Sequence, residues 1–173
     1  MIKIHALVLR RILQVKSEIE EKLNVKINNN GKLLEISGAP EDEFIAEKIV
    51  QALNFGFPID VALLLIEEYY LFEQVSIKST ARSSNLERVR GRIIGTQGKT
   101  LKTLAHVSNC HFELKDNEVG IIGTAEQIPA ARQAVLSLIK GSKQSNVYSY
   151  LEKHHVREVV DYGIKEPKKK DKK

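Results

Sequence analysis

The sequence predicts an α+β protein of two tandem units. Each has the element order β-α-α-β-β-α, with a three-stranded sheet packed on helices, and a C-terminal helix follows. Three observations predict this. The chain matches itself at an offset of 85 residues, with 19–53 falling on 104–138 without a gap. In both copies the apolar residues switch between helical and alternating spacing in the same order. A glycine, Gly38 or Gly123, precedes the last helix of each copy. A repeat this long indicates two domains of one design, because solenoids stack three or more shorter units.

The elements follow in order. Lys3–Leu9 alternates as a strand and runs almost straight into a helix, Ile12–Leu23, with Val15, Ile19 and Leu23 at helical spacing. Val25–Ile27 is a strand. Asn28–Gly31 is a hairpin turn, since Asn and Gly accept positive φ. Leu33–Ser37 returns and Gly38–Pro40 breaks it. Glu41–Glu43 then favour a helix start by opposing the helix dipole, and Ile45, Ile49, Ala52 and Leu53 form that helix's inner face. Pro58 opens a connecting helix with Val61, Leu64, Leu65 and Phe72 on one face. Glu73–Ile77 begins the second unit as a strand. Helix Lys99–Val107 turns Leu101, Leu104 and Val107 inward. Cys110–Leu114 and Val119–Ile122 are strands joined by the turn Lys115–Asn117. Gly123 breaks the second of them, and Ala125–Lys140 is a helix with Pro129 near its start, where a missing N–H costs little. Val147–Leu151 and Val156–Tyr162 predict a short terminal helix. Lys165–Lys173 has no large apolar residue and predicts a disordered tail. The expected domains are therefore 1–72, 73–163 and a basic tail, 164–173.

Composition narrows the function. No apolar run approaches the roughly 18 residues that span a bilayer. The first residues lack the apolar core of a signal peptide, and the single cysteine excludes an internal disulfide framework. The expected location is the cytoplasm, with no membrane partner. Net charge is +5 and unevenly placed. Residues 1–72 carry eight Lys/Arg against eleven Asp/Glu, whereas 73–173 carry nineteen against eleven. One basic half beside an acidic half predicts that only the second meets a polyanion. The plainer reading is a basic solubilising face.

The segment Arg88–Lys102 decides between these readings. It contains Ile93-Ile94-Gly95-Thr96-Gln97-Gly98-Lys99. Two glycines let the backbone turn between two helices with no side chain in the way. The following helix starts at Gly98, so its free N–H groups and positive dipole end face a phosphate. From Lys78 to His106 seven basic residues (Lys78, Arg82, Arg88, Arg90, Arg92, Lys99, Lys102) stand against one acid, Glu87. The RNA-binding candidates are Arg88, Arg90, Arg92, Ile93, Ile94, Gly95, Thr96, Gln97, Gly98, Lys99 and Lys102. Ile94, Leu101, Leu104, Phe112 and Leu114 lie in or under a base-binding groove, with Leu104 and Phe112 better read as core. In the first copy, Arg10–Leu13 stands where the second has Gly95–Gly98. This half lacks the loop. Arg10 and Arg11 are its phosphate candidates, and a scaffold or protein-docking role is the competing reading.

The loop resembles the I-I-G-x-x-G-K/R signature of type I KH domains, in which it clamps about four nucleotides of single-stranded RNA. Two such units, the first degenerate, resemble the archaeal form of the ribosomal-RNA-processing KH family that includes the partner of the Nob endonuclease. The matching segments are Gly91–Gly95 with Gly98-Lys99, Asn109-Cys110, Ile121–Gly123 and Val147–Glu152. The resemblance implies binding near the 3′ end of small-subunit ribosomal RNA and assistance in its processing. It also implies two protein partners, a Nob-type endonuclease and the alpha subunit of archaeal translation initiation factor two. Many relatives keep a glycine loop in the first unit; this chain does not. The alternative reading is a protein-docking adaptor with secondary RNA contact.

Enzyme readings fail on spacing. Gly98-Lys99-Thr100 imitates the end of an NTPase phosphate loop, but that motif needs a glycine where Ile93 stands. His5, His106, His111, His154 and His155 show no metal-ligand spacing. Cys110, on an apolar strand face, reads as a buried inert thiol. No catalytic residue, metal or cofactor is expected.

Overall fold

The computed structural model describes residues 1–81 and 85–154. Strand β1 (Ile2–His5) and helix α1 (Leu9–Leu23) lead to the hairpin β2 (Lys26–Asn30) and β3 (Leu33–Ser37), then α2 (Pro40–Phe55). A short helix, α3 (Ile59–Leu63), and a 3-10 turn, Leu64–Ile66, connect to β4 (Tyr70–Ser76). There follow α4 (Ile77–Thr80), α5 (Leu86–Ile94), a 3-10 turn at Thr96–Gly98 and α6 (Lys99–Ser108). The second hairpin is β5 (His111–Lys115) and β6 (Glu118–Thr124), and α7 (Ile128–Lys140) and α8 (Gln144–Lys153) close the described chain. No helix among the described residues is long and apolar enough to cross a membrane.

The fold is α+β, with two three-stranded antiparallel sheets ordered β1-β3-β2 and β4-β6-β5. The sequence repeat is visible in the hairpins: 85 residues carry Lys26–Asn30 onto His111–Lys115 and Leu33–Ser37 onto the start of β6. Each sheet has its own apolar core. The first is built on Ile12, Ile19, Ile27, Leu34, Ile36, Ile49 and Leu53, the second on Ile77, Ile93, Leu104, Ile121, Val135 and Leu138. The central strand β6 serves both, because Ile121 points into the second core and Ile122 into the first.

Aromatic packing joins the halves. Phe55, Phe57 and Phe72 have ring centroids 5.7–5.9 Å apart, two of the three pairs edge to face. Gly120 of β6 admits them, since a Cβ there would lie 2.7 Å from Phe57 and 2.8 Å from Phe55. Lys115 Nζ donates to the Asn54 carbonyl at 2.6 Å across the seam. Arg11 donates to the Phe57 carbonyl at 2.7 Å.

Several expected boundaries move. Helix α1 starts at Leu9 and β1 stops at His5, after which the Ala6 N–H makes one last bond in ladder register, to the Lys32 carbonyl at 2.8 Å. Asn28–Asn30 belongs to β2, and the turn is Gly31-Lys32, with Gly31 at φ +67°. The connecting helix ends at Leu63; Phe72 lies in β4, which begins at Tyr70, not Glu73. A boundary between 72 and 73 would cut that strand. Ile77 opens α4 after an N-cap at Ser76. Gly123 is a strand residue, glycine because Cys110 Sγ would sit 2.5 Å from its Cβ, and the last helix of the repeat begins at Ile128, not Ala125. Arg82, Val156–Tyr162, His155 and the tail 164–173 lie outside the described residues.

Candidate nucleic-acid interface

The loop Gly95–Gly98 sits between α5 and α6, which pack on each other at an angle set by the loop backbone. Asn85 caps α5 by accepting from the Arg88 N–H at 3.0 Å, and Val89 and Ile93 anchor it in the core. Gly95 ends it at φ +72°, ψ 175°, a conformation closed to side-chain-bearing residues. A Cβ at Gly95 would overlap the Thr100 hydroxyl and lie 2.8 Å from the Thr100 nitrogen. Gln97 and Gly98 follow in the left-handed region, at φ +53° and +73°. The two glycines therefore differ. Gly95 is fixed by both conformation and contact, whereas Gly98 has open space at its Cβ position.

Beneath the loop, Thr100 is 3% exposed, and its hydroxyl accepts from Gln144 Nε2 at 2.7 Å. The same amide approaches the Arg92 carbonyl at 3.3 Å. Helix α8 thus ties the end of α5 to the start of α6. Above the loop, Thr96, Gln97 and Lys99 are exposed. No side chain caps the N-terminus of α6, which leaves N–H groups and the positive dipole end directed at the loop. A cleft of about 670 Å³ is lined by Thr96, Gln97, Lys99, Lys102, Thr103 and His106. A second, of about 440 Å³, opens between the loop and α8 at Gly95, Thr100, Gln144 and Tyr148.

The candidate residues separate into groups. Arg88, Lys99 and Lys102 are exposed and form no ion pair among the described residues. Arg92 is committed to structure: its guanidinium donates to the Leu138 carbonyl at 3.4 Å, at the C-terminus of α7, where the dipole favours a cation. Arg90 donates to the Asp116 carbonyl at 3.2 Å. Ile93 is fully buried, so its side chain is unavailable to RNA; Ile94 is 38% exposed beside the loop. Leu104 and Phe112 are core, and Leu101 and Leu114 are partly buried. In the first half, Arg11 is occupied by Phe57 and α1 carries no glycine loop.

Five residues of this surface were not among the sequence candidates: Thr100, Thr103, His106, Gln144 and Tyr148. Helical spacing from Lys99 and Lys102 puts His106 on their face, so that signal was present. Gln144 had none, because its partner is 44 residues away. Burial pushes the Cys110 thiol up to about 11, against a hydrogen bond with Ser108 that lowers it. Burial also raises Glu113, which Arg11 opposes.

Residues 71–156 match the model of the eukaryotic-type KH domain, KH type I, in the form found as the second KH domain of PNO1. The fold as a whole superposes on the archaeal protein in a solved a/eIF2alpha–aDim2p–rRNA complex from Pyrococcus horikoshii, with a TM-score of 0.76 and 30% identity over 88% of this chain and 92% of that one. The chain belongs to the Pno1/Dim2 family of KH-domain proteins. Dim2p from the same organism, solved separately, gives a TM-score of 0.77 at 28% identity, covering 88% of this chain and 98% of that one. Among curated Pno1/Dim2 relatives, a KH domain-containing protein of Methanocaldococcus jannaschii is 30% identical over 80% of this chain and 64% of its own length. The RNA-binding protein pno1 of Drosophila melanogaster is 35% identical over 75% of this chain and 58% of its own. The chain thus spans less than two thirds of these curated relatives. The KH match contains the whole loop and the exposed cations Arg88, Lys99 and Lys102.

Proposed function

We propose that this chain binds single-stranded small-subunit ribosomal RNA near its 3′ end and assists its processing, without catalytic chemistry of its own. The open Gly95–Gly98 turn carries this reading, because it meets the uncapped start of α6 beside Lys99 and Lys102, with Arg88 exposed on the preceding helix. In this reading phosphates lie on the loop and bases lie toward Ile94, Leu101 and Leu114. Arg90 and Arg92 act through structure. Relatives named as pre-rRNA-processing and RNA-binding proteins support the ribosomal target, as does the solved complex of a relative with rRNA.

The domain reading is two tandem type I KH-like units. The first, ending just before β4, has lost its clamp. The second runs from β4 through the terminal helix, and a basic tail follows at 164–173. The presence of a/eIF2alpha in that relative's complex supports the alpha subunit of initiation factor two as a partner. A Nob-type endonuclease as second partner, and action in the cytoplasm, follow from the family likeness. Crosslinking the protein to RNA in cell extract and sequencing the attached fragments tests the target. Reads should concentrate at the 3′ end of small-subunit rRNA; reads scattered over unrelated transcripts would refute it.

A further inference from the structure

On a surface separate from the RNA loop, a trench runs between α2 and the outer edge of β4. At one end it is a cavity of about 340 Å³ with an apolar wall that includes Phe44, Leu65, Leu71, Phe72 and Ile128. Further along α2 and β4 lies a second, open cleft of about 630 Å³, lined by Gln51 and Asn54 of α2, Gln74 and Ser76 of β4, and the Lys115–Glu118 turn. Three properties distinguish it.

First, β4 is an edge strand. It pairs with β6 on one side, and among the described residues no strand pairs with its other side. Such an edge is a template for an added strand. Second, its apolar end is exposed where burial is expected. Phe44 and Leu71, 56% and 46% exposed, both line the cavity, and Tyr69, 57% exposed, has its ring 5.1 Å from that of the wall residue Tyr70, so these side chains cluster instead of scattering. Third, its charge is opposite to that of the RNA surface. Six carboxylates line the two parts against three lysines. Lys115 is held by the Asn54 carbonyl, Lys48 sits 5.1 Å from the centre of the Phe44 ring and Glu73 pairs with Arg132 at 2.9 Å, so five carboxylates remain against these cations and Lys78. A polyanion is repelled here and a cationic segment attracted.

We propose that this trench receives an extended, Lys/Arg-flanked segment of a partner protein. The segment adds as a strand to the free edge of β4 and places one large apolar side chain in the cavity between Phe44, Leu71 and Ile128. Main-chain pairing supplies affinity, and the cavity and acidic rim supply specificity. No residue of the Gly95–Gly98 loop lines the trench, so RNA and peptide are held together. The inference does not depend on the RNA reading.

The test is selection from a display library of random twelve-residue peptides against the whole chain. Enriched peptides should share a large apolar residue with basic neighbours. They should protect the Tyr70–Gln74 amides from exchange. Binding should weaken at least about tenfold on Leu71→Glu or Phe44→Ala, or when proline replaces a strand residue of the peptide. Both protein positions are already solvent-exposed, and unchanged circular dichroism would verify the fold. No enrichment, or peptides that bind the Leu71→Glu chain as tightly as the parent, would overturn the proposal. So would tighter peptide binding by a chain ending at residue 163, since that would assign the trench to the protein's own basic end. A parent dimer dissolved by Leu71→Glu would assign it to a second copy and overturn it equally.

Discussion

Gln144 donates to the hydroxyl of Thr100 at 2.7 Å, and that hydroxyl fills the space a Cβ at Gly95 would need. A residue of α8 therefore supports the RNA loop from beneath, through one buried oxygen. Gln144→Met keeps the side-chain length and removes both donors. It should cost about 1–2 kcal/mol of stability and loosen RNA binding. Thermal melts and fluorescence anisotropy on an oligonucleotide check it, and Thr100→Ser should retain both properties.

The two loop glycines should respond differently to alanine. Gly98→Ala meets no neighbour and bears only the left-handed cost, about 1–2 kcal/mol. Gly95→Ala adds overlap with Thr100 in a backbone region closed to alanine, so its loss of melting temperature should be clearly larger. Equal losses would mean the loop backbone differs from that described.

Charge substitutions should separate contact from support. Lys99→Ala and Lys102→Ala should each lower the slope of log affinity against log salt by about 0.7, one single-strand phosphate contact, with little effect on melting. Arg92→Ala should do the reverse. It removes the cation at the C-terminus of α7, lowering stability and leaving the salt slope in place.

One buried and one half-buried group give solution tests independent of RNA. Cys110, its pKa raised to about 11 and its side chain buried, should resist alkylation at pH 8 until the chain is denatured. Glu113 has a folded pKa above its ordinary value, so folding favours its protonated form. Its stability contribution is full below the unfolded pKa near 4.5 and is lost as pH rises through the folded value. Glu113→Gln should therefore melt higher than the parent at neutral pH. The difference should vanish in acid.

How much of this was legible in the sequence depended on distance along the chain. The hairpins were readable because alternation is a local pattern and the 85-residue repeat shows it twice; Leu33–Ser37 is a strand over the residues expected. The loop was readable because its demand for glycine is local. Phe72 misled because its spacing from Leu65 fits a helix, yet it closes the aromatic cluster from β4. Gly123 looked like a break but is small to fit Cys110 across the sheet. Arg92 and Ile93 were expected among the RNA contacts because the motif surrounds them, and the sequence did not show their intramolecular contacts. Those contacts, with the end of α7 and with the second core, come from 46 residues away or from several elements at once.

The most direct measurement is the affinity of the whole chain for a single-stranded oligonucleotide from the 3′ end of small-subunit rRNA, before and after Thr96→Asp with Gln97→Asp. Both side chains are exposed and Gly95 and Gly98 remain, so the fold should persist. Two carboxylates facing the start of α6 should abolish binding that in the parent weakens steeply with salt. Parent-like affinity in the folded double variant would contradict the account.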